Sequence, residues 1–162
     1  MRHPCLPGLL ALCVLLAGCF DNNSNTTLPE SGLQTISSAG LQRSYYLDLP
    51  SDYDPDAAPR PLIIGYHGTG GSHQAWLDDY RLREVVGDGA ILVYPDALPN
   101  AANINQWDFA NDFQMFEDLL ERLPAQLNFD ASRIFITGHS SGGGFAHELG
   151  CRYGIRIRGI AP

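Results

Sequence analysis

Five residues, Gly138-His139-Ser140-Ser141-Gly142, have the types and spacing of an activated serine nucleophile. They fit G-x-S-x-G, a pattern that exposes a serine hydroxyl at a sharp strand-to-helix turn. Ser140 has glycine two places before and two places after it, whereas Ser141 follows His139 by two, so Ser140 is the candidate nucleophile. Such a hydroxyl attacks a carbonyl carbon and carries the acyl group as a covalent intermediate. A glycine-rich turn with an idle serine would share the pattern. The setting favours the chemistry: Arg133 to Thr137 reads as a short buried strand, and Phe145 to Leu149 reads as helix. Flanking glycines remove side-chain clashes at such a turn, and a helix N-terminus favours developing negative charge.

A second motif supplies what acyl transfer needs next. Pro61 to Tyr66 is an apolar run of strand length, and it leads into His67-Gly68-Thr69-Gly70-Gly71-Ser72. A preorganised backbone N–H aimed at the tetrahedral oxyanion is worth about 3–4 kcal/mol. The donors here would be the N–H groups of Thr69 and Ser141, the latter directly after the nucleophile. Ser72 suits the N-cap of a helix predicted over His73 to Val86. A Gly-rich loop after a buried strand, paired with a G-x-S-x-G turn, resembles the α/β-hydrolases.

The resemblance narrows to the polyhydroxybutyrate-depolymerase and feruloyl-esterase group of secreted esterases. It rests on Arg43 to Pro50, His67 to Ser72, Val93-Tyr94-Pro95-Asp96, Asn128 to Gly144 and Ile157 to Pro162, within a stretch from Leu33 to Pro162. Ser141 departs mildly from that group, which usually has another residue there, often Asn or Ala. The resemblance implies a carboxylic ester hydrolase working through an acyl-enzyme on Ser140, with no cofactor. The triad order in this fold is serine, acid, histidine. The acid and histidine are therefore expected beyond Pro162, and residues 1–162 alone are expected to be inactive. Aryl, polyester and sugar-linked acyl substrates all stay open. So do a peptidase or dienelactone-type hydrolase of the same fold, and a non-catalytic lipoprotein that keeps part of it.

The positioning elements follow an α/β pattern. Leu33 to Ser38 and Gln42 to Leu49 predict an antiparallel hairpin around Ala39-Gly40, with Arg43, Tyr45, Leu47 and Leu49 on one face. Leu62 to Tyr66 and Ala90 to Tyr94 are apolar throughout, as strands buried on both faces are. Phe113, Phe116, Leu119, Leu120 and Leu123 have helical spacing behind a cap at Asn111 or Asp112. With the elbow helix and a last strand at Ile157 to Ala161, strands alternate with helices and predict a mostly parallel sheet.

The other chemical residues are weaker candidates. His67 is expected to hold its loop by hydrogen bonds. His139 sits on a turn that points neighbours apart, and His147 lies two helical turns beyond the serine, so neither is a good base. Asp96 could line a pocket or serve the Pro95-to-Pro99 turn. Trp107 could face substrate or pack in the core. No Cys/His/Asp grouping has metal-ligand spacing, and a lysine-bearing phosphate loop is ruled out because lysine is absent.

Location is read from the N-terminus. Arg2 and His3 precede an apolar stretch from Leu9 to Ala17, too short to span a membrane but suited to a signal peptide. Leu16-Ala17-Gly18-Cys19 resembles a bacterial lipobox, which implies a signal peptide over 1–18 and lipidation at Cys19; an ordinary signal peptide with Cys19 incidental is the alternative. Residues 19–32, rich in Asn, Ser and Thr, read as a flexible tether, and 33–162 as an incomplete α/β-hydrolase domain. The expected setting is an exported, membrane-anchored lipoprotein, periplasmic or extracellular, with the membrane reached only through the lipid. The formal charge of −8, with all ten basic residues arginine, argues against a nucleic-acid partner. Oligomeric state is not indicated. After lipidation Cys151 would be the sole thiol of the mature chain. It either pairs with a cysteine beyond Pro162 or is a free cysteine buried on the elbow helix.

Overall fold

The computed structural model describes residues 29–162. The signal-peptide, lipidation and most of the tether assignments fall outside them. Ala39 and Gly40 both have positive φ, 51° and 74°, the mirror-type turn whose twist matches its flanking strands. It joins β1 (Gly32–Ser38) to β2 (Leu41–Asp48) as an antiparallel hairpin. The sheet continues with β3 (Arg60–Tyr66), β4 (Ile91–Pro95), β5 (Phe129–Gly138) and β6 (Gly159–Ala161). The strand order is β1-β2-β4-β3-β5-β6. β2 meets β4 antiparallel, and β4, β3, β5 and β6 run parallel. All five residues of β4 are buried, the reason its sequence shows no alternation.

Helices cover both faces. α3 (Phe109–Arg122) and α4 (Ser141–Tyr153) bury Met115, Phe116, Leu119, Phe145 and Leu149 against Tyr45, Leu62, Ile64 and Ile136. On the opposite face α1 (Gln74–Asp78) and α2 (Leu82–Val86) pack Trp76, Leu77, Leu82 and Val86 over Tyr46, Ile63, Leu92 and Tyr94. The single helix predicted over His73 to Val86 is thus two short ones. Arg81 breaks it in the left-handed region at φ 49°.

The α3 cap also differs from expectation. Asp108, not Asn111 or Asp112, accepts the Ala110 N–H at 3.0 Å. Asp112 instead points inward and pairs with Arg43 at 2.5 Å, both side chains almost fully buried. Alternation on β2 puts Arg43 on the core face beside Tyr45 and Leu47. Its guanidinium also donates to the Asp96 carbonyl at 3.0 Å, tying β2 to the end of β4.

Other arginines act as forks in the same manner. Arg83 bonds the Asp48 carboxylate and the carbonyls of Asp48, Gly87 and Ala90. Arg60 holds both Asp52 oxygens and the Asp88 carbonyl, and Arg133 joins Asp130 to the Pro59 carbonyl. Five donors in a fixed plane let one residue satisfy several acceptors of an irregular segment.

Candidate active site

β5 ends at Gly138, and the chain turns sharply into α4 through His139 and Ser140. Ser140 has φ 54° and ψ −120°. A non-glycine residue there costs on the order of 1–3 kcal/mol and persists only where its surroundings enforce it. The enforcement is visible. His139 N–H donates to the Tyr66 carbonyl, Gly142 N–H to His139 and Gly144 N–H to Ser140, at 3.1, 2.9 and 3.1 Å. A Cβ at Gly138 would lie 2.2 Å from the Gly142 carbonyl oxygen, and one at Gly142 would lie 2.1 Å from that of Tyr66. Only two glycines allow backbones to approach this closely. Ser140 is left exposed at the N-terminus of a 13-residue helix.

The loop after β3 lies against this turn. The position of a Cβ on Gly68 is 3.3 Å from Ser140 Cβ. Thr69 Oγ1 donates to Ser141 Oγ at 2.9 Å, joining the loop to the first residue of α4. Among the described residues neither the Thr69 nor the Ser141 N–H has a backbone partner. Two free N–H groups beside an exposed serine are what an oxyanion site requires.

His67 anchors the loop. It is fully buried, its Nδ1 lies 2.7 Å from the Gly68 carbonyl, and its Nε2 accepts the Ala97 N–H at 3.1 Å. These partners assign the proton to Nδ1, and burial pushes its pKa below the ordinary histidine value. Both nitrogens are committed, so the ring has no lone pair for Ser140. Trp107 Nε1–H donates to the His67 carbonyl at 2.7 Å and its ring stacks on Phe145, which makes Trp107 a core residue.

The remaining candidates stand apart. The His139 ring packs on Tyr80, 5.0 Å between centroids. His147 is exposed on α4, 3.8 Å from Cys151 Sγ. Cys151 is free and exposed, so the buried-cysteine alternative is corrected: the sheet-facing positions of α4 are Phe145, Ala146 and Leu149. Asp96 accepts from Ser44 Oγ, from the His73 N–H and at His73 Nδ1, so its carboxylate holds α1 to the end of β4. Sequence reasoning missed Asn105, whose carbonyl accepts the Gly70 N–H at 2.7 Å and whose Nδ2 donates to the Gly71 carbonyl at 2.8 Å. No periodicity marks such a residue; only its contact does. Among the described residues no three His, Cys, Asp or Glu side chains gather to hold a metal, and no helix is long and apolar enough to cross a membrane.

Strand order, the strained serine at the β5–α4 junction and the glycine loop after β3 define an α/β-hydrolase fold. No family model matches the chain. It resembles feruloyl esterases. A probable feruloyl esterase C of Aspergillus niger is 34% identical over 130 residues, covering 74% of this chain and 45% of that protein. Feruloyl esterase D of Neurospora crassa is 30% identical over 147 residues, covering 83% and 49%. The chain thus spans about half the length of the curated relatives it matches. Among solved structures, a ferulic acid esterase superposes with a TM-score of 0.69 at 19% identity, over 81% of this chain and 56% of that one. An S-formylglutathione hydrolase from Agrobacterium tumefaciens gives 0.63 at 20%, over 79% and 55%.

Proposed function

We propose that the chain is the nucleophile-bearing part of an exported serine esterase of the feruloyl-esterase and polyhydroxybutyrate-depolymerase type. The observation that carries this reading is the enforced backbone of Ser140, exposed beside a loop whose Thr69 N–H is free. Ser140 Oγ attacks the ester carbonyl and gives its proton to a base. The Thr69 and Ser141 N–H groups hold the resulting oxyanion. The protonated base then returns its proton to the leaving alcohol, and water hydrolyses the acyl-enzyme in a second round. Among the described histidines His67 is doubly bonded, His139 lies on Tyr80, His147 pairs with Cys151 on the outer face of α4, and His73 is held by Asp96 and stacked on Tyr46 of β2, on the far side of β4 from β5; the base and its acid partner are therefore assigned outside residues 29–162. The relatives named as feruloyl esterases support a carboxylic ester substrate. Lipidation at Cys19 would hold the enzyme on a membrane surface.

The test is labelling of the full-length protein by a fluorophosphonate, with p-nitrophenyl acetate turnover measured alongside. Ser140→Ala should abolish both. Labelling at Ser141, or undiminished turnover, would refute the assignment. Residues 1–162 alone should show no turnover above a Ser140→Ala control.

A further inference from the structure

The oxyanion loop is soft by composition and held from outside. Three of the four residues from Gly68 to Gly71 are glycine, and Gly70 stands at φ 78°. Gly71 N–H donates to the Gly68 carbonyl at 3.0 Å, closing a turn with Thr69 at its first corner. Glycine permits the shape of such a turn and equally the freedom to lose it. The Gly68 carbonyl also takes His67 Nδ1–H at 2.7 Å. Across a planar trans peptide the Thr69 N–H points opposite to that carbonyl. Holding the turn therefore aims the N–H.

The segment between β4 and α3 holds it. Pro99 and Asn105 form an antiparallel bridge. Asn100 N–H donates to the Ile104 carbonyl at 2.9 Å, and Gln106 N–H to that of Leu98 at 3.1 Å. Asn105 and Trp107 are alternate residues of the chain leaving this small hairpin. Trp107 Nε1–H bonds the His67 carbonyl at 2.7 Å, just before the turn. Asn105 bonds the far half of the turn. Its carbonyl takes the Gly70 N–H at 2.7 Å, and its Nδ2 donates to the Gly71 carbonyl at 2.8 Å.

Resting on the esterase reading, we infer that Asn105 is a positioning residue of the reaction: it holds the turn that aims the Thr69 N–H at the oxyanion. The turn adjoins the nucleophile. A Cβ on Gly68 would stand 3.3 Å from Ser140 Cβ, and Thr69 Oγ1 donates to Ser141 Oγ at 2.9 Å. A preorganised donor contributes only while it points at the developing charge. Loss of the Asn105 amide takes that donor from the Gly71 carbonyl and lets the glycine turn populate other shapes. Acylation and deacylation pass through the same oxyanion site, so both slow together. The signature is a fall in kcat with KM unchanged.

The experiment is a double-mutant cycle on the full-length protein with p-nitrophenyl acetate. Active sites are counted by fluorophosphonate labelling, so the folded fraction drops out. Thr69→Pro deletes the N–H itself, and Thr69 has negative φ at the first corner of the turn, a position that suits proline. Asn105→Ala should lower kcat about tenfold with KM within about twofold. Asn105→Asp, which sets a carboxylate against the Gly71 carbonyl, should lower kcat further. Thr69→Pro should lower it about 10²–10³-fold. Adding Asn105→Ala to Thr69→Pro should then cost less than about twofold, because the group it positions is gone. A full tenfold loss in that background overturns the inference. So does Asn105→Ala with wild-type kcat, or a loss confined to KM. In those cases Ser140-dependent turnover that is sensitive to Thr69→Pro leaves the esterase reading standing. Turnover independent of Ser140, no turnover, or kcat indifferent to Thr69→Pro removes that reading and this inference with it.

Discussion

Replacing Gly142 by alanine should unfold the elbow, and the structure sets the size of the effect. The added Cβ would lie 2.1 Å from the Tyr66 carbonyl oxygen and 2.4 Å from that of His67. Contacts to Cβ essentially never fall below about 3 Å, so α4 must move back by roughly 1 Å. The obstacles are main-chain atoms at the end of β3, where Tyr66 is paired with Gly138 and accepts from His139. Neither can yield without opening the β3–β5 ladder. Overpacking of this kind costs about 1–3 kcal/mol when side chains absorb it, and more when backbone must. Gly142→Ala should cost at least about 3 kcal/mol, roughly a 10 °C drop in melting temperature for a domain of this size. Gly144 supplies the control. It lies two residues on in the same helix and has nothing within 4 Å of a Cβ. Alanine there should stabilise by about 0.5–1 kcal/mol through helix propensity. Urea unfolding of both variants decides the matter. Gly142→Ala within about 1 kcal/mol of wild type, or Gly144→Ala as damaging as Gly142→Ala, would refute the close-approach argument.

Other expectations are equally direct. Arg43→Met strands the buried Asp112 carboxylate and should cost about 3–5 kcal/mol in urea unfolding, while Arg43→Met combined with Asp112→Leu recovers most of it. Burial holds His67 below its unfolded value of 6.5, so its contribution to stability is complete above that pH and is lost as pH falls through the folded value. The fall in melting temperature between pH 7 and pH 5 should therefore be shallower in His67→Asn. Carboxylates such as Asp130, held down to about 2 by Ser132 and Arg133, act only in stronger acid. Cys19→Ser should abolish incorporation of radiolabelled palmitate; unchanged labelling would refute the lipid anchor.

Much of this frame is legible in the sequence because local physics decides it. Runs such as Ile91 to Tyr94, short and β-branched behind a glycine pair, read as strands buried on two faces, and Ala39-Gly40 reads as a tight reversal between alternating segments. The alternation of β2 even places Arg43 inward. What it cannot give is the partner, since Asp112 lies 69 positions along the chain. That pairing removes Asp112 from the cap and leaves Asp108 to fill it. The break at Arg81 is equally hidden. The apolar spacing from Ala75 to Val86 runs straight through it, and no glycine or proline marks it. At the candidate site the serine and the glycine loop announce themselves through spacing. Asn105 does not, because its significance is a pair of hydrogen bonds to Gly70 and Gly71 across more than thirty residues.

The arginine forks have a chemical consequence. Amine-directed reagents find no side-chain target in a chain without lysine. A dicarbonyl such as phenylglyoxal condenses with guanidinium groups and removes their donors, and the forks differ greatly in access. The Arg133 side chain is 46% exposed and that of Arg60 22%, whereas that of Arg43 is 1% exposed. The outer pair should modify quickly, releasing the segments they hold without unfolding the core. Arg43 can react only from a state in which β2 and α3 have parted. Its rate of modification, followed by mass spectrometry of the peptide that contains it, would time the deepest opening of the domain under native conditions, with no substitution introduced.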